Sequence, residues 1–288
     1  MPSPLATPGE RASCQLRQAN FSRERLVGRE YVEPYAGGAS VALALLFEEY
    51  VSHIHINDLN PSVAAFWRTV LNATEDLCDL IANTPVTVDE WEHQRVVQDD
   101  DPKADETALG FSTFFLNRTS RSGIIGGGII GGKRQTGKWK IDARFTREDL
   151  IRRVRKIARH RNRITVTSND AAAYLENALP EIDKPFVYLD PPYYVKGGDL
   201  YQDSYKPEDH AAIAALVHKL DVPWMVSYDA VPPINDLYRS APHVAYNLSY
   251  SAQERYKGKE VMFFDSNLVL PDVDSPANVN SLLVEAAR

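Results

Sequence analysis

Cysteine is nearly missing from this 288-residue chain, whose only two, Cys14 and Cys78, lie far apart. That scarcity excludes a disulfide framework and a cysteine-rich zinc site. Long apolar runs are missing as well. The stretch from Val41 to Phe47 falls far short of the roughly 20 residues that a membrane-spanning helix requires, and no basic-then-apolar signal segment opens the chain. The expectation is a cytoplasmic protein with no membrane partner. Positive charge is scarce overall, at a net −7, which is the wrong sign for a protein that meets polyanions over its whole surface.

The charge is unevenly spread, however. From Asn117 to Arg163 there are 15 Lys and Arg against 3 acidic residues, a local excess of 12, and the remainder carries 17 basic against 36 acidic residues. A basic patch on an acidic body is the footprint of a protein that meets phosphates on one face. The plainer reading of Arg152 to Arg163 is a solvated helix face. Hydrophobic content of 44% and charged content of 25% are ordinary for a globular chain, long enough for one large domain or a core with a sizeable insertion.

The organising stretch is Phe186-Val187-Tyr188-Leu189-Asp190-Pro191-Pro192-Tyr193-Tyr194. An apolar run of β-formers that ends in an acid and two prolines predicts a buried strand stopping abruptly at its carboxyl end. Neither Pro191 nor Pro192 donates to a ladder, so Asp190 is expected at the strand tip, facing the crevice where open α/β sheets bind ligands. Tyr193 and Tyr194 add aromatic faces beside those acceptors, which suits a planar amine-bearing group such as a nucleobase.

The neighbouring pattern is doubly wound. Residues 1 to about 28 predict a poorly ordered arm. Tyr31 to Tyr35 reads as a first strand, Ala36 to Ser40 as a tight glycine loop, and Val41 to Tyr50 as a helix with Ser40 as its N-cap. Paired glycines let backbone approach a ligand with the helix N-terminus facing it. His53 to Asp58 alternates as a second strand does, and Asp58 ends it 21 residues after Gly37, where a carboxylate accepts hydrogen bonds from ribose hydroxyls. The spacing is not that of a dinucleotide site, and it fits a nucleoside such as S-adenosylmethionine better. His53 and His55 read as edge or surface histidines, and no metal is assigned.

Ser62 to Leu71 reads as the next helix. Short helices are expected at Leu77 to Ile81 and Trp91 to Val97, a polar loop at Asp99 to Pro102, and an apolar helix at Ala108 to Leu116. The glycine-laden run Gly126 to Gly132 cannot pack a core by itself, and with Arg118, Arg121, Lys133, Arg134 and Lys138 around it the expectation is a segment that orders on a phosphate backbone. The alternation then resumes, with a basic helix at Arg147 to His160, strands at Arg163 to Thr167 and Trp224 to Tyr228, helices at Ala171 to Leu179, Pro207 to Leu220 and Pro233 to Tyr238, and two final strands around a loop holding Arg255, Lys257 and Lys259.

Three motifs in order, Glu33-Pro34-Tyr35-Ala36-Gly37-Gly38, Asn57-Asp58-Leu59-Asn60 and Asp190-Pro191-Pro192-Tyr193, resemble those of the DNA adenine methylases, over roughly residues 31 to 266. Leu116-Asn117-Arg118 with Gly123-Ile124 is similar to that family's DNA-contacting loop. The resemblance implies an α/β, doubly wound Rossmann-like methyltransferase sheet with a helical and loop insertion. Residues 1–71 and 161–288 would bind S-adenosylmethionine, and 72–160 would recognise the target. It also implies that Asp190 and the Pro191 carbonyl accept hydrogen bonds from the adenine amine, with Pro192 completing the turn and Tyr193 stacking on a flipped base. Glu33, Pro34, Tyr35, Gly37 and Asp190 itself would border the cofactor, Asp58 would hold its ribose, and Asp170 would approach its adenine. Asn117, Arg118, Arg121 and Ser122 would enter double-stranded DNA, joined by Lys133, Arg134 and Lys138. Members of the family usually carry an aromatic-Gly-Gly-Lys segment before the first strand, whereas Cys14 to Arg29 has no lysine and holds Arg23, Arg25 and Arg29. A methyltransferase acting on RNA adenine and a catalytically silent DNA-binding relative are the alternatives. No obligate protein partner is evident, and a cognate restriction endonuclease stands open.

Overall fold

The chain alternates short β-branched or aromatic runs with apolar helices, a rhythm that forces sheet strands to be covered on both faces. The computed structural model describes residues 28–100, 105–195, 205–249, 257–268 and 281–284. Eight strands form its sheet, namely β1 (Glu30–Glu33), β2 (His53–Asn57), β3 (Ile164–Thr167), β4 (Pro185–Leu189), β5 (Trp224–Asp229), β6 (His243–Ser249), β7 (Lys257–Phe264) and β8 (Ser281–Val284). Their order is β3-β2-β1-β4-β5-β7-β6-β8. The first five run parallel, while β7 lies antiparallel between β5 and β6. This is the expected Rossmann-like methyltransferase sheet. Strand order reverses between β1 and β4, so the crevice predicted for ligand lies beyond their carboxyl ends.

The pleat divides two cores. Tyr31, Phe186 and Tyr188 share one face, with Tyr31 stacked on each of the others at 6.5 Å. That face packs on helices α1 (Ser40–Phe47), α2 (Pro61–Asn72), α3 (Thr74–Asn83), α5 (Glu106–Thr119) and α6 (Arg147–Ala158). Trp91, from α4 (Val88–Asp100), joins the same cluster. Val32, Val187 and Leu189 face the other way, onto α7 (Ala171–Asn177), α8 (Pro207–Val217) and α9 (Pro232–Leu237). The helices between 72 and 160 therefore share a core with the sheet.

Two hydrogen bonds and one glycine set the course of α5. Thr69 donates to the Glu106 carbonyl at 3.2 Å and Thr113 to the Ser62 carbonyl at 3.0 Å, so α5 runs antiparallel to α2. At Gly110 an added Cβ would lie 2.9 Å from the Ala65 carbonyl, which is why no side chain fits there. Since α2 starts at the carboxyl edge of β2, α5 ends at that edge. Helix α6 leads back to the start of β3, so its first turn lies at the same edge. The loop from 120 to 146 consequently rises beside the crevice.

Several expectations change. Ser40 is the first residue of α1 rather than its N-cap; Ala39, left-handed at φ 46°, precedes it without a side-chain cap. The expected short helices are longer, and Asp99 and Asp100 belong to the end of α4 rather than to a loop. His53 and His55 lie on an interior strand, where His55 Nε2 meets Glu30 at 2.6 Å and His53 Nε2 meets the Thr165 hydroxyl at 2.8 Å; the parallel neighbours β1 and β3 supply these partners. Expectations for residues 1–27, 101–104, 196–204, 250–256 and 269–280 lie outside the described residues. Among the described residues, no helix is long and apolar enough to cross a membrane, and no His, Cys, Asp or Glu cluster of metal-ligating size occurs.

Candidate active site and nucleic-acid interface

The first wall of the crevice is the turn after β1. Gly37 adopts φ 45°, and an added Cβ there would meet nothing within 4 Å, so its backbone borders open space. Its amide donates to Asp58 Oδ2 at 2.8 Å, and the Asn60 amide donates to Asp58 Oδ1 at 2.9 Å. Each carboxylate oxygen retains acceptor capacity after one such bond. Burial pushes the Asp58 carboxyl up from its ordinary value, against the opposing pull of these two amides. These acceptors therefore fit a ligand that presents hydroxyls, as a ribose does.

Asn57 organises this wall, and sequence reasoning assigned it no role. Its side-chain amide donates to the carbonyls of Pro34 at 3.1 Å and Asn169 at 2.9 Å, and its oxygen accepts from the Asn169 amide at 2.9 Å and the Thr167 hydroxyl at 2.8 Å. One buried amide thus ties together the tips of three parallel strands. Pro34 and Glu33 are buried at the end of β1. Tyr35 turns away to bond the Tyr205 hydroxyl at 2.8 Å, and burial beside Tyr205 holds its own hydroxyl protonated well above the ordinary range. Asp170 is exposed and caps α7, accepting from the Ala173 amide at 3.1 Å.

The second wall follows β4. Ser227 on β5 donates to Asp190 Oδ1 at 2.7 Å and shares a 2.5 Å bond with the Tyr188 hydroxyl. Tyr193 bonds Glu260, a buried acid on β7. Both carboxylate oxygens of Asp229 accept backbone amides, from Tyr194 at 2.9 Å and Val195 at 3.2 Å. Ser227, Glu260 and Asp229 come from neighbouring strands, and only the register β4–β5–β7 brings them to the Asp-Pro-Pro-Tyr turn. The alternation in Trp224 to Asp229 was a signal for a strand but carried no mark of these partners.

The basic insert divides into two kinds of cation. Many arginines are spent on the protein itself. Arg155 pairs with Glu75, Arg152 and Arg153 with Asp149, and Arg163 with Glu49. Arg147 donates to the carbonyls of Ile81 and Thr84. Helix α6 is thus a salt-bridged face, and the single basic patch expected from the charge count narrows to the loop before it.

That loop also differs from the expectation of a segment awaiting phosphate. Ile129 is buried, Ser120 and Ile129 form a β-bridge, and the Arg121 and Ile130 amides bond the Gly128 and Thr119 carbonyls at 2.8 and 2.9 Å. Internal hydrogen bonds and one apolar anchor give the glycine run its conformation. Asn117 and Arg118, expected to contact DNA, are only 7% and 6% exposed. Asn117 donates to the Gly123 carbonyl at 2.8 Å and Arg118 to the Arg144 carbonyl at 3.1 Å, so they shape the loop from within. Arg144 closes its base by donating to the Asn117 and Ser120 carbonyls, both at 2.6 Å. Arg121 and Ser122 are exposed at the tip, with Ser122 left-handed at φ 56°. Lys133, Arg134 and Lys138 are exposed too, Lys133 bonding Glu92 at 2.8 Å.

Comparison with known proteins agrees with this geometry. The model of the D12 class N6 adenine-specific DNA methyltransferases matches residues 18–256. No curated protein matches the chain. Among solved structures, protein LPL1258 from Legionella pneumophila str. Philadelphia 1 is 12% identical over 82% of this chain and 76% of that one, at a TM-score of 0.28, too faint a likeness to carry an argument. The family match spans the glycine turn, Asp58, the basic loop and Asp190, and this chain therefore belongs to the D12 class N6 adenine-specific DNA methyltransferase family.

Proposed function

We propose that the protein transfers a methyl group from S-adenosylmethionine to the exocyclic amine of adenine in duplex DNA, by flipping the base and transferring the methyl directly. The observation that carries this reading is that β1, β2 and β4, which lead into the Gly37 turn, Asp58 and Asp190, are adjacent parallel strands, so all three follow strand ends at the one edge where strand order reverses. S-adenosylmethionine supplies a methyl carbon made electrophilic by its sulfonium. Glu33, Pro34, Tyr35 and Gly37 border the donor, Asp58 accepts from its ribose and Asp170 approaches its adenine ring. The Asp190 carboxylate, oriented by Ser227 at 2.7 Å, and the Pro191 carbonyl accept from the target amine just past the end of β4 at Leu189, where Pro191 and Pro192 have no N–H with which to continue the ladder. Tyr193 stacks on the flipped base. Orientation and exclusion of water supply most of the acceleration.

In this reading residues 1–71 with 161–288 form the donor-binding body and 72–160 the DNA-facing region. Arg121, Ser122, Lys133, Arg134 and Lys138 contact the duplex, and Asn117 and Arg118 act by shaping the loop that carries them. A site-specific enzyme of this kind would shield its sequence from a cognate endonuclease.

The test is transfer of labelled methyl to varied duplex DNA by the purified full chain. Methyladenine should form, and Asp190→Ala should abolish it while DNA binding remains. Absence of methyladenine across sequence contexts at saturating donor would refute the proposal. Competition with RNA separates the RNA-directed alternative, and calorimetry with S-adenosylmethionine separates a silent DNA-binding relative, which would give no heat.

A further inference from the structure

Among the described residues, Trp139 is the largest apolar side chain left exposed. Trp67, Trp91 and Trp224 are 1%, 9% and 4% exposed, whereas Trp139 is 66% exposed. Leaving so large an apolar ring in water forfeits roughly 2 kcal/mol or more of burial, so the fold gains nothing from it.

The loop nevertheless spends several contacts on setting its place. Gly131 is left-handed at φ 82°, and a Cβ there would stand 2.7 Å from the Trp139 carbonyl. A Cβ on Gly137 would lie 2.9 Å from the Gly131 Cα, so two backbone runs cross in direct contact just before the ring. Gln135 locks the crossing, donating to the Ile130 and Gly132 carbonyls at 2.8 and 2.7 Å and accepting from the Ile141 amide at 2.9 Å. Lys138 lies over the indole at 5.6 Å, and Lys140 and Arg134 are exposed nearby in the chain. The loop rises from the carboxyl edge of the sheet, the edge of the candidate active site.

We propose that Trp139 is a base-stacking residue of the DNA interface, its ring held outward by the Gly131–Gly137 crossing to meet an unstacked base while the adjacent cations meet phosphate. This rests on the reading of the chain as a DNA methyltransferase. The local charge selects the occupant: an exposed indole with Lys138 over it and further cations nearby in the chain suits a polyanion with aromatic faces, since each base offers a π-face for stacking and each phosphate a negative charge. Nothing in the sequence motifs marked this residue, which lies beyond the Asn117–Ile124 tip and outside the set of basic residues.

Because the other described tryptophans are buried away from a ligand at the surface, a change in intrinsic fluorescence on DNA binding that Trp139→Phe removes reads Trp139. Titrating the full chain with mixed-sequence duplex DNA should quench its emission. Trp139→Phe should lose that quench while keeping most of the affinity, and Trp139→Ala should weaken duplex binding by about 5- to 150-fold, the range of one stacked base. S-adenosylmethionine binding by calorimetry and the Tm should be unchanged in both. The proposal is overturned if Trp139→Ala binds duplex as tightly as the parent, if Trp139→Phe keeps the quench, or if only structured RNA quenches. A parent that methylates DNA with Trp139→Ala indistinguishable from it sinks this inference alone. A parent that neither binds nor methylates DNA sinks the proposed function with it.

Discussion

Removing one buried hydroxyl at Ser227 tests whether the Asp190 carboxylate is positioned from behind. Ser227 is 1% exposed and Tyr188 fully buried, and the hydrogen bonds run from the Tyr188 hydroxyl through the Ser227 hydroxyl to the Asp190 carboxylate at 2.5 and 2.7 Å. Ser227→Ala deletes a bond to an ionisable acceptor, worth about 1.5–3 kcal/mol, and a hydroxyl–hydroxyl bond worth about 1 kcal/mol. The sum, roughly 2.5–4 kcal/mol, corresponds to a Tm lower by about 5–15 °C at this chain length. Tyr188→Phe should cost only about 1 kcal/mol, and the double variant should cost less than the sum of the singles, because they share one chain of bonds. The catalytic readout is separate: with the bond that orients one carboxylate oxygen lost, kcat for methyl transfer should fall about 10- to 100-fold, with S-adenosylmethionine affinity much less affected. Thermal unfolding and single-turnover methylation measure the two effects. A Ser227→Ala protein with the parent's Tm and kcat would refute the reasoning, because Asp190 would then be held by the turn alone.

Asp229→Ala should free the Tyr194 and Val195 amides, lowering kcat several-fold while Asp229→Asn, which keeps one acceptor, loses less; steady-state methylation distinguishes them. Donor binding should weaken as pH falls through a value above the ordinary Asp range, since burial raises the Asp58 carboxyl and ribose hydroxyls donate to its ionised form; calorimetry across pH should show this, with Asp58→Asn flat. Burial lowers the His210 pKa, so the unfolded chain takes up the proton first and stability should be lost as pH falls from about 6.5; thermal melts should show a shallower acid limb in His210→Gln. Gly37→Ala should cost about 1–2 kcal/mol for a left-handed alanine, without a clash because its Cβ enters open space, and calorimetry should show a larger loss in donor affinity than this backbone strain accounts for.

Hydrophobic period and turn chemistry, which are local, were enough to place the strands β1 to β5 and the helices between them within a few residues. The tip positions of Asp58 and Asp190 were legible for the same reason, since glycine and proline stop an element wherever they occur. Helix ends were less legible: Ser40 opens α1 behind a left-handed Ala39 instead of capping it, a backbone choice imposed by the turn before it. The charge count between Asn117 and Arg163 was correct as arithmetic, yet Glu75 and Glu49, distant in sequence, neutralise part of it.

What the sequence determined by itself is the doubly wound order, the two acidic strand tips and the family they belong to, because each is written in contiguous residues. Only the tertiary structure decided that Ser227, Glu260 and Asp229 stand behind the Asp-Pro-Pro-Tyr turn, that Asn57 ties three strand tips together, and that Asn117 and Arg118 face inward while Trp139 faces out. Those facts depend on strand register and helix packing, which set contacts between residues tens to more than a hundred positions apart and leave no mark in any one stretch of chain.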